Sequence, residues 1–318
     1  MKPLQTQELK VIGVKVINLK KKFNSFFALK GIDLTIDKPG LYGLIGPNGA
    51  GKTTLFKCIT GLLTPTEGKV ILNNTEVNRK LLFQKNVFGF IPEDVGLYGN
   101  LSARDFLHIL AGLHGLDKAQ RKKRVQEIVD FVGIKYSPNK IVRYLSTGQK
   151  RLLLIAGVLL HDPDILIFDE SLNGLDPVVR SHVSNLMKEL SKDKIVFYSS
   201  HILTDIWKLS DEVFVLNNGL LVEHDTPLNI IKKITKNVYY IESDEYETVF
   251  SYLEEFSSIE KIEIEGNKVL FQIKSKNAID ESKEILRKVI EKHSILSFGY
   301  YEPDLDQLFI KMVSSNED

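Results

Sequence analysis

Two short stretches of the chain hold residues whose types and order suit them to phosphate chemistry. The first, GPNGAGKTT at residues 46–54, has the spacing G-x-x-x-x-G-K-[ST] and falls between a predicted strand and a predicted helix. Gly46, Gly49 and Gly51 let the backbone curl until consecutive amides face one centre, and the start of the following helix adds its dipole. Lys52 then reaches the β and γ phosphates of a nucleotide and the Thr53 hydroxyl ligates magnesium, with Pro47, Asn48, Ala50 and Thr54 completing the loop. The second stretch, ILIFDE, is an apolar run that ends in two adjacent carboxylates, Asp169 and Glu170. A bare carboxylate in such surroundings costs on the order of several kcal/mol, so a positive partner is expected there. At the end of a strand beside a phosphate loop, Asp169 meets Mg²⁺ through its shell and Glu170 stands where a water attacks the γ-phosphate.

A third stretch, LSTGQKR at residues 145–151, places two hydroxyl residues and a glycine ahead of a strongly apolar helix. Alone it signals a helix start and a possible anion site. Its order in the chain says more, because it lies between the phosphate loop and ILIFDE, with NGLDP and then SSH following. This ordered set resembles the ATP-binding cassette (ABC) family over about residues 14–227. The resemblance implies that ATP is sandwiched between two subunits, the phosphate loop of one facing the signature helix of the other. Ser146, Gly148 and Gln149 would then act on the partner's ATP, Asp176 would lie in the loop crossing the interface, and His201 would contact the γ-phosphate and orient the water. Phe23, in KKKFNSFFAL, matches the aromatic that stacks on adenine; the alternative is an ordinary core phenylalanine.

The sequence also departs from the family pattern. Glu93, in FIPEDVGLY, replaces the usual glutamine beside the metal, so a carboxylate becomes the candidate ligand in place of an amide. Thr147 replaces the first glycine of the signature, Ser171 the proline after the catalytic glutamate, and Asn173 the serine of the crossing loop. Lys52, Asp169, Glu170 and His201 are all retained, so a competent ATPase is expected.

Several elements must position these residues. Short β-type patterns occur at residues 11–19, 32–36, 40–45, 70–72 and 87–91, with a helix expected at 51–59. Residues 102–161 read as mostly helix, the core of a helical subdomain at about 96–162. Strands return at 165–168, 195–199 and 213–216, alternating with helices at 177–190 and 203–209, which argues for a largely parallel sheet. Beyond about residue 230 the order βαββαβ describes a ferredoxin-like plan: strands at 238–241, within a 259–273 hairpin turning at Gly266 and Asn267, and at 296–300, helices at 246–256 and 279–292, and a last helix at 305–312. The expected fold is α/β, with the resemblance implying a P-loop NTPase of RecA-like core, an antiparallel β subdomain and the helical insertion. A cassette at 1–230 is followed by a small α+β ferredoxin-like C-terminal domain at 231–318.

Composition limits the alternatives. The 318 residues carry 42 Lys and Arg against 41 Asp and Glu, so no whole-molecule field draws the chain to nucleic acid or an anionic membrane. One cysteine excludes an internal disulfide. The longest apolar run, residues 152–160, falls short of the roughly 20 residues of a spanning helix, and the N-terminus lacks the apolar core of an export signal. The expectation is a cytoplasmic subunit, peripheral on the inner face of the membrane, that powers a separate transmembrane permease. Its dimer partner is a second copy or a paralogue, and residues 93–105 receive the permease. GPNGAGKTTL, LSTGQ and a small C-terminal domain ending in DLDQLFIKMV together most resemble bacterial exporters of drugs, antibiotics, lipids or glycans and related sodium-export systems. The competing class, a soluble ABC-type ATPase acting on nucleic acid or ribosomes, usually shows two cassettes, a long coiled coil or zinc modules, none of which is visible here. The basic run RKKR at 121–124 reads as a solvated helix face in preference to a lipid contact.

Overall fold

The central strand, GLYGLI, has no polar side in its sequence, and a strand of that kind is stable only with both faces covered. In a computed structural model, which describes residues 12–78, 87–93, 96–135, 137, 139–200, 202–235, 237–275, 277–301 and 309, this segment is β3 (Gly40–Ile45), buried along its whole length. The chain divides into two units, Met1–Thr226 and Pro227–Asp318.

The first unit contains two sheets. An antiparallel one is built from β1 (Val14–Phe23), β2 (Phe26–Ile36), β4 (Glu67–Leu72) and the two-residue β5 (Thr75–Glu76), in the order β2-β1-β4-β5. The other contains β6 (Phe88–Ile91), β7 (Ile165–Phe168), β8 (Ile195–Ser199), β9 (Glu212–Asn217) and β10 (Leu220–Asp225), in the order β10-β9-β3-β8-β7-β6. All its pairings are parallel except β9 with β10. Ile165 pairs with Ile195 and Gly40 with the same residue, so β3, β8 and β7 start level and end within two residues of one another. Parallel order therefore brings the turn after β3 and the acidic end of β7 to one edge of the sheet, where ligands of open α/β sheets bind.

Helices follow the strands: α1 (Lys52–Ile59) after β3, α5 (Pro177–Leu190) after β7 and α6 (Leu203–Leu209) after β8. The insertion consists of α2 (Ala103–Leu113), α3 (Lys118–Val132) and α4 (Thr147–Leu159). Ser102 caps α2, Asp117 and Gln120 form a capping box on α3, and Gly133, at φ 70°, stops α3 in the left-handed region. Between α3 and α4 the described residues hold one helical element, a single 3₁₀ turn at Val142–Tyr144, so the mostly helical stretch consists of three separate capped helices.

The second unit begins with α7 (Pro227–Thr235), four residues before the boundary read from composition. Its sheet has the order β12-β13-β11-β14, from β11 (Val238–Glu242), β12 (Ile259–Glu265), β13 (Lys268–Ile273) and β14 (Ser297–Tyr300), all antiparallel. With α8 (Tyr246–Leu253) and α9 (Ala278–Ile290) this is the ferredoxin-like order, packed on a core that includes Ile241, Val249, Phe271 and Val289. The expected helix at 305–312 lies outside the described residues apart from Phe309.

Candidate active site

The loop between β3 and α1 is held by its neighbours as much as by its own bonds. Ala50 N–H donates to the Pro47 carbonyl at 3.1 Å, and the Ala50 carbonyl accepts from Gly219 N–H at 3.0 Å. A Cβ on Gly46 would lie 2.3 Å from the Leu216 carbonyl oxygen, and one on Gly51, whose φ is 109°, would lie 2.7 Å from that of Ala28. Both positions therefore require glycine for space, and Gly51 also for conformation. Lys52, the first residue of α1, is 94% buried, leaving 6% exposed. Its ammonium donates to the carbonyls of Gly46 at 2.8 Å and Pro47 at 3.3 Å.

Besides the Mg²⁺ expected at the acidic strand end, this lysine supplies a cation there. Lys52 Nζ lies 3.6 Å from Glu170 Oε1. Ser199, the last residue of β8, joins the two carboxylate residues: its hydroxyl donates to Asp169 Oδ1 at 2.9 Å and accepts from Glu170 N–H at 2.9 Å. Asp169 is 3% exposed, and its own N–H donates to the Ile91 carbonyl across β6 at 2.9 Å. Glu170 has φ 46°, a conformation uncommon for a residue with a side chain, which turns its carboxylate back over the loop. The strain stands at the residue whose orientation matters most.

On α4, Ser146 and Gln149 form a reciprocal capping box: the Ser146 hydroxyl accepts from Gln149 N–H at 3.2 Å, and Gln149 Oε1 accepts from Ser146 N–H at 3.1 Å. Gly148 is buried, and a Cβ there would stand 3.1 Å from the Val179 methyl groups of α5. Asp176 caps α5, its Oδ1 accepting from the N–H groups of Val178 and Val179 at 3.1 and 3.0 Å. The signature and the crossing loop are thus adjoining helix starts, with Ser146 and Asp176 both exposed.

Comparison with known proteins decides the family. A family model described as ABC transporter matches residues 29–173, and one described as ATP-binding protein DrrA1-3-like, C-terminal domain, matches residues 226–313. The bacitracin transport ATP-binding protein BcrA of Bacillus licheniformis is 31% identical over 308 residues, covering 94% of this chain and 97% of its own. The chain belongs to the ABC transporter family. The linearmycin resistance ATP-binding protein LnrL of Bacillus subtilis is 25% identical over 299 residues, covering 93% of this chain and 96% of its own. Among solved structures, cbiO1 from Clostridium perfringens, part of the ABC transporter complex cbiONQ, superposes with a TM-score of 0.62 at 27% identity, covering 77% of this chain and all of its own.

As an ABC protein the chain has a P-loop NTPase core, binds nucleotide, and is an ATPase that powers membrane transport. The competing reading as a soluble ABC ATPase on nucleic acid or ribosomes is not favoured by these relatives. No helix among the described residues is long and apolar enough to cross a membrane.

The remaining candidate residues fall as follows. Phe23 ends β1 and is 45% exposed, with Lys21 Nζ 5.2 Å from its ring centre, so the alternative of an ordinary core phenylalanine does not hold. Glu93 is exposed and its Oε1 lies 3.4 Å from Asn173 Nδ2. The same Asn173 nitrogen donates to Glu170 Oε2 at 2.7 Å. Two departures from the family pattern, at 93 and 173, are therefore linked, and one amide serves both carboxylates. His201 lies outside the described residues. Sequence reasoning passed over Ser199 and also Arg151, a buried guanidinium on α4 that donates to the carbonyls of Pro92 at 2.7 Å and Glu93 at 2.8 Å. An arginine one helical turn into an otherwise apolar helix was the available signal.

Proposed function

We propose that Lys52, Asp169, Glu170 and their supports form the hydrolytic half of a composite ATP site, and that Ser146, Gly148, Gln149 and Asp176 complete the site of a second cassette. The observation that carries this reading is the 3.6 Å approach of Lys52 Nζ to Glu170 Oε1, between residues more than a hundred positions apart. A carboxylate beside the phosphate-loop lysine is where charge and proton acceptance are both needed.

The γ-phosphate competes with the Gly46 and Pro47 carbonyls and with Glu170 for the Lys52 ammonium. Once Lys52 turns to the phosphate, Glu170 is freed to accept a proton from the attacking water, while Ser199 and Asn173 keep it over the loop. His201 orients that water and Phe23 offers an exposed ring to adenine. Thr53 and Asp169 are hard oxygen donors of the kind magnesium takes with one or two carboxylates and substrate phosphates, and Glu93 is a further candidate. Buried Asp169, anchored through one oxygen by Ser199, fits that role. The ion, when bound, neutralises charge on the transferring phosphoryl group.

The chain acts as a peripheral subunit on the cytoplasmic face of the membrane, paired with a second copy or a paralogue, and drives a separate permease for export. Support for export comes from the relatives named for bacitracin transport and linearmycin resistance and from the match of the C-terminal unit. Purification with the permease encoded beside it, reconstituted in vesicles, tests the reading: ATP-dependent movement of an antibiotic-like solute out of the cytoplasmic compartment is expected, and uptake in the opposite sense overturns it.

A further inference from the structure

A phosphate loop that aims its own N–H groups at an anion cannot also use them to hold its shape, so that shape must come from its carbonyls and from donors outside it. At residues 46–51 the carbonyls of Gly46 and Pro47 accept from Lys52, and that of Pro47 also from Ala50 N–H. Those donors belong to the loop and the helix that follows it. A donor from elsewhere in the chain is Gly219, whose N–H reaches the Ala50 carbonyl at 3.0 Å. The Gly219 carbonyl in turn accepts from Lys30 N–H on β2 at 2.9 Å. A line of amides thus runs from the loop through Gly219 to the antiparallel sheet.

Gly219 is the second residue of the two-residue turn between β9 and β10, a turn closed by the pairing of Asn217 with Leu220. It is buried, whereas Asn218 beside it is exposed. A Cβ on Gly219 would stand 2.7 Å from the Ala28 carbonyl oxygen and 3.3 Å from Leu29 Cα, so β2 leaves no room there for a side chain. A Cβ on Gly51 would meet the same Ala28 oxygen from the loop side. Loop, turn and β2 therefore close on one backbone oxygen, and any outward shift of the turn stretches its bond to Ala50. The turn between β12 and β13 offers the contrast, since Gly266 has φ 64° with open space where its Cβ would be. There the backbone conformation alone asks for glycine; at Gly219, with φ 78°, the close approach asks for it as well.

We propose that Gly219 is a positioning residue of the nucleotide site, acting through Ala50: it holds that carbonyl so that the amides of the loop stay aimed at the phosphates. The inference rests on the reading of Lys52 given above. When Lys52 turns to the γ-phosphate it stops donating to Gly46 and Pro47, and the Gly219 bond is a support that remains. The loop relies on it most with nucleotide bound.

The test compares Gly219→Ala with Gly266→Ala in the full-length chain, with ATP and inorganic tripolyphosphate each competing against trinitrophenyl-ATP. Gly219→Ala should weaken both ligands about tenfold, the worth of roughly one hydrogen bond, because the cradle is what changes. Its KM for ATP should rise by a similar factor with kcat held within about threefold. Gly266→Ala carries the conformational strain without the close approach; it should lower the melting temperature yet leave both affinities within about twofold. A purely structural Gly219 would lower the melting temperature and move neither affinity, and that result overturns the proposal. So does a loss confined to ATP, which would assign the turn to the base, or a fall in kcat at unchanged KM. If Gly219→Ala does not fold, amide exchange in the unaltered chain decides. Saturating tripolyphosphate should slow exchange of the Gly219 N–H about tenfold or more and leave the amides of α9 as they were; equal exchange with and without it overturns the proposal. Lys52→Ala is scored apart: unchanged tripolyphosphate affinity there would count against the reading of Lys52, while the two affinities of Gly219→Ala decide the turn.

Discussion

The phosphate loop with its acidic strand end and the start of α4, the two halves of the proposed site, are built differently. At the loop, Lys52 and Asp169 are buried, and each polar group has a partner inside the same unit: carbonyls and Glu170 for Lys52, Ser199 for Asp169. At α4, Ser146 is exposed and its bonds do nothing beyond capping its own helix. A buried charged cluster holds its shape only if it is satisfied internally, whereas an exposed helix start keeps N–H groups and a dipole for something that arrives from outside. On the composite-site reading proposed above, the contrast means that one half of the site is preorganised within the chain and the other serves a second molecule.

The comparison can be broken most directly at Glu170. Glu170→Gln should lower turnover by about 10²- to 10⁴-fold, the usual worth of a general base, while ATP binding persists and an ATP-loaded dimer appears as doubled mass in size-exclusion light scattering. An unimpaired hydrolysis rate would remove Glu170 from its role. Next in size is Ser146→Ala, expected to reduce turnover about 100-fold with nucleotide affinity of the isolated chain unchanged. Losing that cap also costs about 1 kcal/mol of stability, so Ser102→Ala, which removes the corresponding cap from α2, provides the control: a similar drop in melting temperature with turnover retained.

A smaller effect sharpens the internal half. Asn173→Ala should lower kcat about tenfold with little change in KM, since the amide orients Glu170 without being placed to touch ATP, and Asn173→Gln should not restore it fully because the longer side chain displaces both carboxylate contacts. Equal losses in kcat and in ATP affinity would place Asn173 in binding. Glu93→Gln should keep magnesium-dependent activity, because an amide oxygen is also a hard donor; metal dependence unchanged even in Glu93→Ala would exclude position 93 from the metal.

The smallest expected effect is on stability and lies away from both halves. Burial holds the His161 imidazole below its ordinary value of 6.5, and the ring stacks on His114 at 4.2 Å beside the Phe88 carbonyl. The folded chain keeps this ring neutral while the unfolded chain protonates it more readily. Its contribution to stability is therefore present above about pH 6.5 and is lost as pH falls from there through the lower folded value. Thermal melts at pH 7.5 and 5.5, which are about one unit either side of that value, should differ more for the unaltered chain than for His161→Asn.

Legibility in the sequence followed how local each feature is. The bounds of β3, β7, β8 and α5 agree with the patterns because each is a wholly buried run or a capped amphipathic helix, and those of α6 agree although no side chain caps it. β10 was missed although its signal was present: Asn218 and Gly219 have φ 48° and 78°, the paired left-handed conformation that an Asn-Gly hairpin turn requires. The half-exposed pattern of β10 hid it, since edge strands need no continuous apolar run. In the candidate site, Lys52, Asp169 and Glu170 were readable from spacing, whereas the contacts of Ser199, Asn173 and Arg151 were not, because a serine, an asparagine and an arginine carry no local mark of what they touch.

By itself, then, the sequence determined which residue types stand at the ends of which strands, and that the acidic pair needs a cation. Only the tertiary structure decided that Lys52 stands beside Glu170 and that Ser199 and Asn173 steady the carboxylates. Strand and helix periodicities are short-range properties of the backbone, legible within a few residues. The order in which parallel strands lie side by side, and hence which distant side chains share an edge, is set by long-range packing that no local spacing encodes.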